Sequence, residues 1–179
     1  MSPIVIIGAG QAGGQAVASL RQQGYKEEII LIGDEPHLPY QRPFLSKQYL
    51  SGEHEEGRVF LRAEKFYNDH NITLRIGERV KSIDPNSRQI TMENGELISY
   101  QDLILATGSR PRILNIPGSD LNGIFYLRTL DDVNNIKPTI QSGKKLVIIG
   151  GGYIGLEVAS VAATAGMQVT VIETEDRIL

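Results

Sequence analysis

The sequence contains no cysteine, no hydrophobic run long enough to cross a membrane and no strong excess of one charge. The absence of cysteine excludes disulfide bonds, thiolate metal sites and chemistry that cycles a redox-active dithiol within the chain. The N-terminus lacks the basic and apolar regions of a signal peptide. A net charge of −3 without a basic cluster gives no footprint for nucleic acid or an anionic membrane. We therefore expect a cytoplasmic protein that binds neither of them.

The order of the expected strands and helices indicates an α/β fold. With 179 residues, 41% of them hydrophobic and 22% charged, the chain has ordinary globular composition. Short apolar runs predict strands, buried ones at 4–7, 29–32 and 103–106, helical spacing of apolar residues predicts helices, and Gly24 and Gly166 stand where helices should end. Strands are expected at 4–7, 29–32, 72–76, 103–106, 146–149 and 168–172, helices at 11–23, 63–70 and 154–165, and an antiparallel meander at 80–83, 89–92 and 96–100. Thr129 resembles the first residue of a capping box.

The first glycine-rich loop follows the first strand and opens the first helix. Its sequence, Gly8-Ala9-Gly10-Gln11-Ala12-Gly13, has the spacing of a dinucleotide-binding turn. Gly8 permits the tight turn, Gly10 lets a diphosphate approach the backbone, and Gly13 lets helix and strand pack closely. The phosphates would lie at the helix N-terminus. Asp34, with Glu35 beside it, follows the next strand and is expected to bind a ribose.

The same arrangement recurs near the C-terminus, with a strand before and a helix after the loop. Gly150, Gly152 and Gly155 repeat the glycine spacing, and Glu173 ends the following strand as the matching ribose carboxylate. A carboxylate there repels a 2′-phosphate, which favours NADH over NADPH. Two loops, each with its own strand, helix and acid, imply two cofactors, a flavin that holds electrons and a nicotinamide that delivers them.

Several longer motifs resemble the pyridine nucleotide-disulfide oxidoreductase superfamily, and within it the ferredoxin reductases that serve dioxygenases and cytochromes P450. The resemblance spans nearly the whole chain. The most specific segment is Pro39-Tyr40-Gln41-Arg42-Pro43-Phe44-Leu45-Ser46-Lys47. Further carriers are the two glycine loops, Gly33-Asp34-Glu35, the stretch from Leu103 to Arg112, Tyr126-Leu127-Arg128-Thr129-Leu130, and Leu156-Glu157.

The resemblance implies a set of residues for each cofactor. Around FAD it places Gly8, Gly10, Ala12, Gly13, Asp34, Glu35, Arg42, Lys47, Val80, Ala106, Thr107, Gly108 and Arg128, and around NADH Gly150, Gly152, Tyr153, Ile154, Gly155 and Glu173. Lys47 and Glu157 are similar to the family's ion pair beside the flavin ring. A cation there would stabilise the anionic reduced flavin, and the carboxylate would hold the cation in place. Lys47 and Glu157 are thus the expected catalytic pair, in an electrostatic and positioning role.

The residue after Ser46 decides where electrons should go. Disulfide reductases of the superfamily carry a cysteine pair after the first module, and its NADH oxidases and peroxidases carry one cysteine after Phe-Leu-Ser. This chain has Lys47 at that place. Electrons from FAD should therefore leave the protein for a ferredoxin-type iron–sulfur protein or a rubredoxin.

Other interpretations remain open. Lys47 could be an ordinary surface lysine, Glu157 a solvated helix residue and Arg42 a loop residue. The chain could instead be a redox sensor or scaffold akin to apoptosis-inducing factor, or a cysteine-less relative of NADH oxidase. The three histidines are scattered, so we expect no metal site. The sequence does not indicate an oligomeric state.

The domain boundary is expected near residue 113. Residues 1–113 would form the FAD-binding part and residues 114–179 an incomplete NADH-binding part, since a dinucleotide domain normally has five or six parallel strands. We therefore expect the isolated chain to hold FAD poorly and to have little activity.

Overall fold

The computed structural model describes residues 2–179 and has the expected alternation of strands and helices. The strands are β1 (Ile4–Ile7), β2 (Ile29–Gly33), β3 (Ile72–Ile76), β4 (Val80–Asp84), β5 (Gln89–Met92), β6 (Leu97–Ser99), β7 (Asp102–Leu105), β8 (Lys145–Ile149) and β9 (Gln168–Ile172). The α-helices are α1 (Gln11–Gln22), α2 (Gln48–Ser51), α3 (Glu64–Asp69), α4 (Leu130–Ile136) and α5 (Tyr153–Thr164). The α/β fold class is confirmed. No helix among the described residues is long and apolar enough to span a bilayer.

Four parallel strands in the order β3-β2-β1-β7 form the sheet of the first module. Strands β1 and β2 are buried along their whole length, because both faces of this sheet are covered. Ile4 and Ile6 pack with Val17 of α1 and Tyr67 of α3 on one face. Val5 packs on the other face, with Ile90 of the antiparallel meander formed by β4, β5 and β6.

The strand expected at 103–106 is present, but the prediction that it is buried is wrong. The strand β7 is only half-buried, and Leu105 is 61% exposed. The reason is its place at the edge of the sheet, beside β1. The meander, the capping box and the glycine that follows α1 are confirmed: Thr129 and Asp132 cap α4 reciprocally, and Gly24 has a φ of +86°.

The second module contains one two-stranded parallel sheet, in which β8 pairs with β9 and α5 connects them. Both strands alternate between half-buried and exposed residues. Contacts divide the chain into two compact units. The first comprises the chain up to Gln41 together with Phe60–Ser109, and the second comprises Arg42–Val59 and Arg110–Leu179. The functional boundary near residue 113 stays a prediction.

Arg21 at the end of α1 holds two neighbouring loops of the first unit. Its guanidinium donates hydrogen bonds to the carbonyl oxygens of Tyr25 and Glu27, each at 2.8 Å. It also donates to the carbonyl oxygens of His70 at 2.9 Å and Asn71 at 3.0 Å, in the connection from α3 to β3. The Arg21 side chain thus ties the segment that follows α1 to the connection between α3 and β3.

Candidate functional site

The first glycine loop turns from β1 into α1 without a side-chain cap. Gly8 has a φ of +113°, and a side chain there would overlap the carbonyl group of Ala106. A Cβ atom on Gly13 would overlap the carbonyl oxygen of Gly8 and would lie 3.3 Å from Leu31 Cδ1. No side chain caps the helix at Gly10, and the first turn carries no acidic residue. The N–H groups of that turn therefore remain available to an anion.

The second glycine loop repeats this geometry. Gly150 has a φ of +108°, and a Cβ atom on Gly155 would overlap the Gly150 carbonyl oxygen. The N-cap residues Gly10 (φ −83°, ψ −165°) and Gly152 (φ −78°, ψ 178°) have nearly the same conformation, and neither has a side-chain cap. A Cβ atom on Gly152 would meet no protein atom within 4 Å, which leaves room above the loop. Both loops thus fit the diphosphate of a dinucleotide.

The acids that follow the two loops are placed differently. Strand pairing shows that Gly33, the last residue of β2, corresponds to Glu173, the residue directly after β9. A Cβ atom on Gly33 would overlap that of Ala9. In the second loop the counterpart of Ala9 is Gly151, whose N–H donates to Glu173 Oε2 at 2.5 Å. The first module therefore has no room for a strand-end acid, and its first acid, Asp34, lies one residue later.

Glu173 is held by backbone donors. Besides the Gly151 bond, its Oε1 accepts the N–H groups of Thr174 at 2.6 Å and Glu175 at 3.1 Å. Hydrogen bonds from Gly151, Glu175 and Thr174 lower the pKa of the Glu173 carboxyl to about 2. The side chain is thus an anion with a fixed orientation at the end of β9.

The two acids after β2 have different surroundings. The Glu35 carboxylate accepts a hydrogen bond from the hydroxyl of Tyr40. Asp34 is more exposed, and its Oδ2 lies 4.0 Å from Arg79 Nη1. The loop that carries both acids is fixed through its backbone, because the Glu78 N–H donates to the Gly33 carbonyl at 2.9 Å. Of the two acids, Asp34 is the one whose carboxylate is more open to a ligand.

Lys47 and Glu157, the expected catalytic pair, do contact each other within the second unit. Lys47 Nζ lies 3.0 Å from Glu157 Oε1, with 45% and 28% of the two side chains exposed. The hydroxyl of Ser46 donates to Glu157 Oε2 at 2.5 Å. Burial raises the pKa of Glu157, but the bonds from Ser46 and Lys47 and the charge of Lys47 outweigh it and hold that pKa below its usual range. The pair thus joins a half-exposed lysine to a partly buried glutamate, and its catalytic role stays a prediction.

The remaining predicted residues fall into local groups within each unit. Arg42 Nη1 donates to the carbonyl oxygen of Arg128 at 2.7 Å, and the Arg128 N–H donates to Asp132 at 2.9 Å. In the first unit Ala12 lies in α1, Val80 begins β4, and Ala106, Thr107 and Gly108 follow β7. Tyr153, 74% exposed, and Ile154, 46% exposed, open α5. Within the described chain, no three His, Asp or Glu side chains cluster as metal ligands.

Sequence reasoning missed two features of the site. One is the contact of Ser46 with Glu157. The other is that the first module has alanine in the loop and glycine at the strand end, where the second has glycine and an acid. Ser46 is 4% exposed, and its neighbour Leu45 is 1% exposed. A serine between Leu45 and the charged Lys47 gives no sign of burial in the sequence. This difference could have been suspected from the sequence, because the second loop residue and the strand-end residue lie at fixed places in a known motif.

Comparison with known proteins extends these observations. Residues 2–179 match the family described as pyridine nucleotide-disulphide oxidoreductase. The chain is 46% identical over 174 residues to rhodocoxin reductase of Rhodococcus erythropolis, covering 97% of this chain and 41% of that protein. It is 44% identical over 176 residues to rubredoxin-NAD(+) reductase of Pseudomonas putida, covering 98% and 46%. The chain thus spans less than half the length of these curated relatives.

A solved structure has the same fold over almost the whole chain. In the covalent complex of putidaredoxin reductase with putidaredoxin, the matched chain is 39% identical and superposes with a TM-score of 0.95. The match covers 99% of this chain and 43% of that one. With the family match over residues 2–179, these likenesses show that the chain belongs to the pyridine nucleotide-disulphide oxidoreductase family.

Proposed function

We propose that this chain binds FAD and NADH and belongs to a flavoprotein that passes electrons from NADH through FAD to a ferredoxin-type iron–sulfur protein or a rubredoxin. The observation that carries the proposal is the repetition of one loop geometry, with first-glycine φ values of +113° and +108° and uncapped helix N-termini after both. Each loop suits one diphosphate. A bound flavin would supply the step from two-electron hydride transfer to one-electron delivery.

The first loop is assigned to FAD and the second to NADH. The support for NADH is Glu173, because a fixed anion at the strand end can accept hydrogen bonds from ribose hydroxyls and repels a 2′-phosphate. In the first unit Asp34 takes the corresponding role toward the ribose of FAD. The resemblance adds Ala12, Val80, Ala106, Thr107, Gly108, Arg42 and Arg128 to the FAD residues, and Tyr153 and Ile154 to the NADH residues.

Lys47 and Glu157 are assigned an electrostatic role. The ammonium group of Lys47 would stabilise negative charge on the flavin ring, and Glu157 would hold that ammonium group in place. Hydride transfer needs no protein acid or base, so these residues would orient and stabilise the reacting groups.

The proposed electron acceptor follows from the sequence and the relatives. The chain has no cysteine, so no thiol within it can accept electrons from the flavin. Similar proteins are named rhodocoxin reductase and rubredoxin-NAD(+) reductase, and one relative is the ferredoxin–NAD(+) reductase component of a p-cumate 2,3-dioxygenase system. We infer the same kind of acceptor, serving a dioxygenase or a cytochrome P450.

A competition experiment tests the two-cofactor assignment. The protein is titrated with FAD in the presence and absence of saturating NADH, and binding is followed by calorimetry. We expect the two cofactors to bind without displacing each other, and NADPH to bind more weakly than NADH. Displacement of FAD by NADH would mean one shared site and would refute the proposal. Reduction of an added rubredoxin or ferredoxin by NADH, followed by absorbance, then tests the acceptor, whereas stable reduced flavin without transfer would favour a redox sensor.

A further inference from the structure

The carboxylate of Glu157 is held by two consecutive residues, each of which takes one oxygen. Lys47 Nζ lies 3.0 Å from Oε1, and the Ser46 hydroxyl donates to Oε2 at 2.5 Å. Both donors come from the segment that ends in α2, and Glu157 comes from α5, all within the second unit. Lys47 alone would contact only Oε1 of Glu157, and the Ser46 hydroxyl adds the contact to Oε2.

The two donors differ in stiffness and burial. Ser46 is 4% exposed and has one side-chain torsion before its hydroxyl, whereas the Lys47 side chain is 45% exposed and long. A half-exposed ion pair contributes little by itself and is screened by salt. A buried hydroxyl that donates to an ionised carboxylate is a stronger and better oriented contact. The orientation of Glu157 therefore depends more on Ser46 than on Lys47.

The backbone around Ser46 is itself fixed. The Lys47 N–H donates to the Phe44 carbonyl at 3.1 Å, which closes a tight turn around Leu45 and Ser46. Two residues after Lys47, the buried Tyr49 donates its hydroxyl to Asn134 Oδ1 of α4 at 2.6 Å. Ser46 thus reaches Glu157 from a segment with a second attachment to the same unit.

We propose that Ser46 is a positioning residue of the Lys47–Glu157 pair: its buried hydroxyl fixes one oxygen of Glu157 so that the other faces the Lys47 ammonium group. The contribution to electron transfer rests on the function proposed above, but the contact itself does not. Lys47, the residue before α2, is the charged group that faces Glu157, and the half-buried side chains of β8 and β9, the strands that pack on α5, are apolar. Replacing Ser46 by alanine should therefore raise the pKa of Glu157.

The titration of Glu157 tests the contact without any cofactor. The carboxyl carbon of Glu157 is followed by 13C NMR against pH in the full chain, for the wild type and for Ser46→Ala. Ser51→Ala is the matched control, because Ser51 lies in the same segment but its hydroxyl has the Gln48 carbonyl and Glu53 as its alternative acceptors. We expect a higher pKa of Glu157 in Ser46→Ala and an unchanged one in Ser51→Ala. An unchanged pKa in a folded Ser46→Ala protein would overturn the proposal.

Two further variants decide the question if Ser46→Ala does not fold. Ser46→Thr keeps the hydroxyl and should titrate like the wild type, whereas Ser46→Cys keeps the shape but donates weakly and should shift in the same direction as Ser46→Ala. If alanine prevents folding, the difference between threonine and cysteine decides. Equal Glu157 titrations in those two variants would contradict a role for the hydroxyl.

The pH dependence of flavin reduction by NADH tests the role in the reaction. Glu157 has a lowered pKa, so its ion pair is present above that pKa and is lost as pH falls. In the flavin-loaded protein that contains this chain, Ser46→Ala should move the acidic limb of the rate profile to higher pH, with a loss of about tenfold or more on that limb, the usual effect of one hydrogen bond to a charged group. A shifted Glu157 titration with an unmoved profile would overturn the role in the reaction. If NADH does not reduce the flavin at any pH even in the longer flavoprotein that contains this chain, the proposed function is overturned and the NMR result alone decides on Ser46.

Discussion

Two alanine substitutions in the second loop should separate a glycine that the fold needs from a glycine that the cofactor needs. In Gly155→Ala the new Cβ atom would overlap the Gly150 carbonyl oxygen and lie 3.2 Å from Ile148 Cγ2. Forcing one methyl group into such a contact costs about 1–3 kcal/mol. That is a large part of the total stability of a domain, which is about 5–15 kcal/mol. Gly155→Ala should therefore lower the free energy of unfolding.

Gly152→Ala should change the affinity for NADH more than the free energy of unfolding. The new Cβ atom meets no protein atom within 4 Å and a φ of −78° suits alanine, so only the poorer N-cap should count, at about 0.5–1 kcal/mol. The methyl group would instead occupy the space where we place the diphosphate of NADH. Loss of one hydrogen bond between a backbone N–H group and a charged phosphate costs about 1.5–3 kcal/mol, or roughly a 10- to 150-fold increase in Kd.

Urea unfolding followed by circular dichroism measures the first quantity, and calorimetric titration with NADH measures the second. Gly57→Ala is the control, because Gly57 lies in the same unit and a Cβ atom there also meets nothing within 4 Å. It should change neither quantity. If Gly152→Ala binds NADH like the wild type, or destabilises the protein as much as Gly155→Ala, the division of roles between these glycines is wrong.

Three other predictions test single contacts, two by substitution and one by pH. Arg21→Ala removes four hydrogen bonds to backbone carbonyls and should lower the free energy of unfolding by about 1–3 kcal/mol. Arg58→Ala, at an exposed site, is the control and should leave it unchanged. Equal urea midpoints for the two variants would contradict this. Because the pKa of Glu173 is about 2, the affinity for NADH, which has no 2′-phosphate to titrate, should stay nearly constant between about pH 8 and 5. Weakening of NADH binding across that range in calorimetric titrations would count against Glu173. Gly33→Glu should destabilise the first unit, and the added change Ala9→Gly should restore most of the loss in thermal unfolding; no recovery would rule out the Ala9 contact as the cause.

The order of strands and helices could be predicted because it depends on local patterns. Continuous β-branched runs such as Ile4–Ile7 are apolar on both sides, and a strand of that kind is stable only inside a covered parallel sheet. Glycine at the end of α1 and the Thr129 capping box mark helix boundaries within a few residues of chain. The burial of β7 was mispredicted because its place at the sheet edge depends on pairing with β1, almost one hundred residues away.

The candidate site could be predicted only in part, for the same reason. The glycine loops are local and were found from spacing alone, while the partnership of Lys47 with Glu157 came from a family resemblance. Nothing local in the sequence marks Ser46 as a buried donor to a carboxylate 111 residues later. Such contacts depend on which segment packs on which helix, and the pattern of a single sequence does not contain that information.

The unequal placement of the acids shows how sterics set the chemistry of each loop. Ala9 fills the space beside Gly33, so a strand-end carboxylate cannot be accommodated in the first module. In the second module Gly151 has no Cβ atom at that place, the side chains of Glu173 and Ile178 lie beside it, and its N–H group donates to Glu173. One methyl group at the second position of the loop thus decides whether the strand ends in an acid held by the backbone or in a glycine followed by the freer Asp34. The two modules share a way to hold a diphosphate, and they differ in how rigidly they present a carboxylate to the ribose.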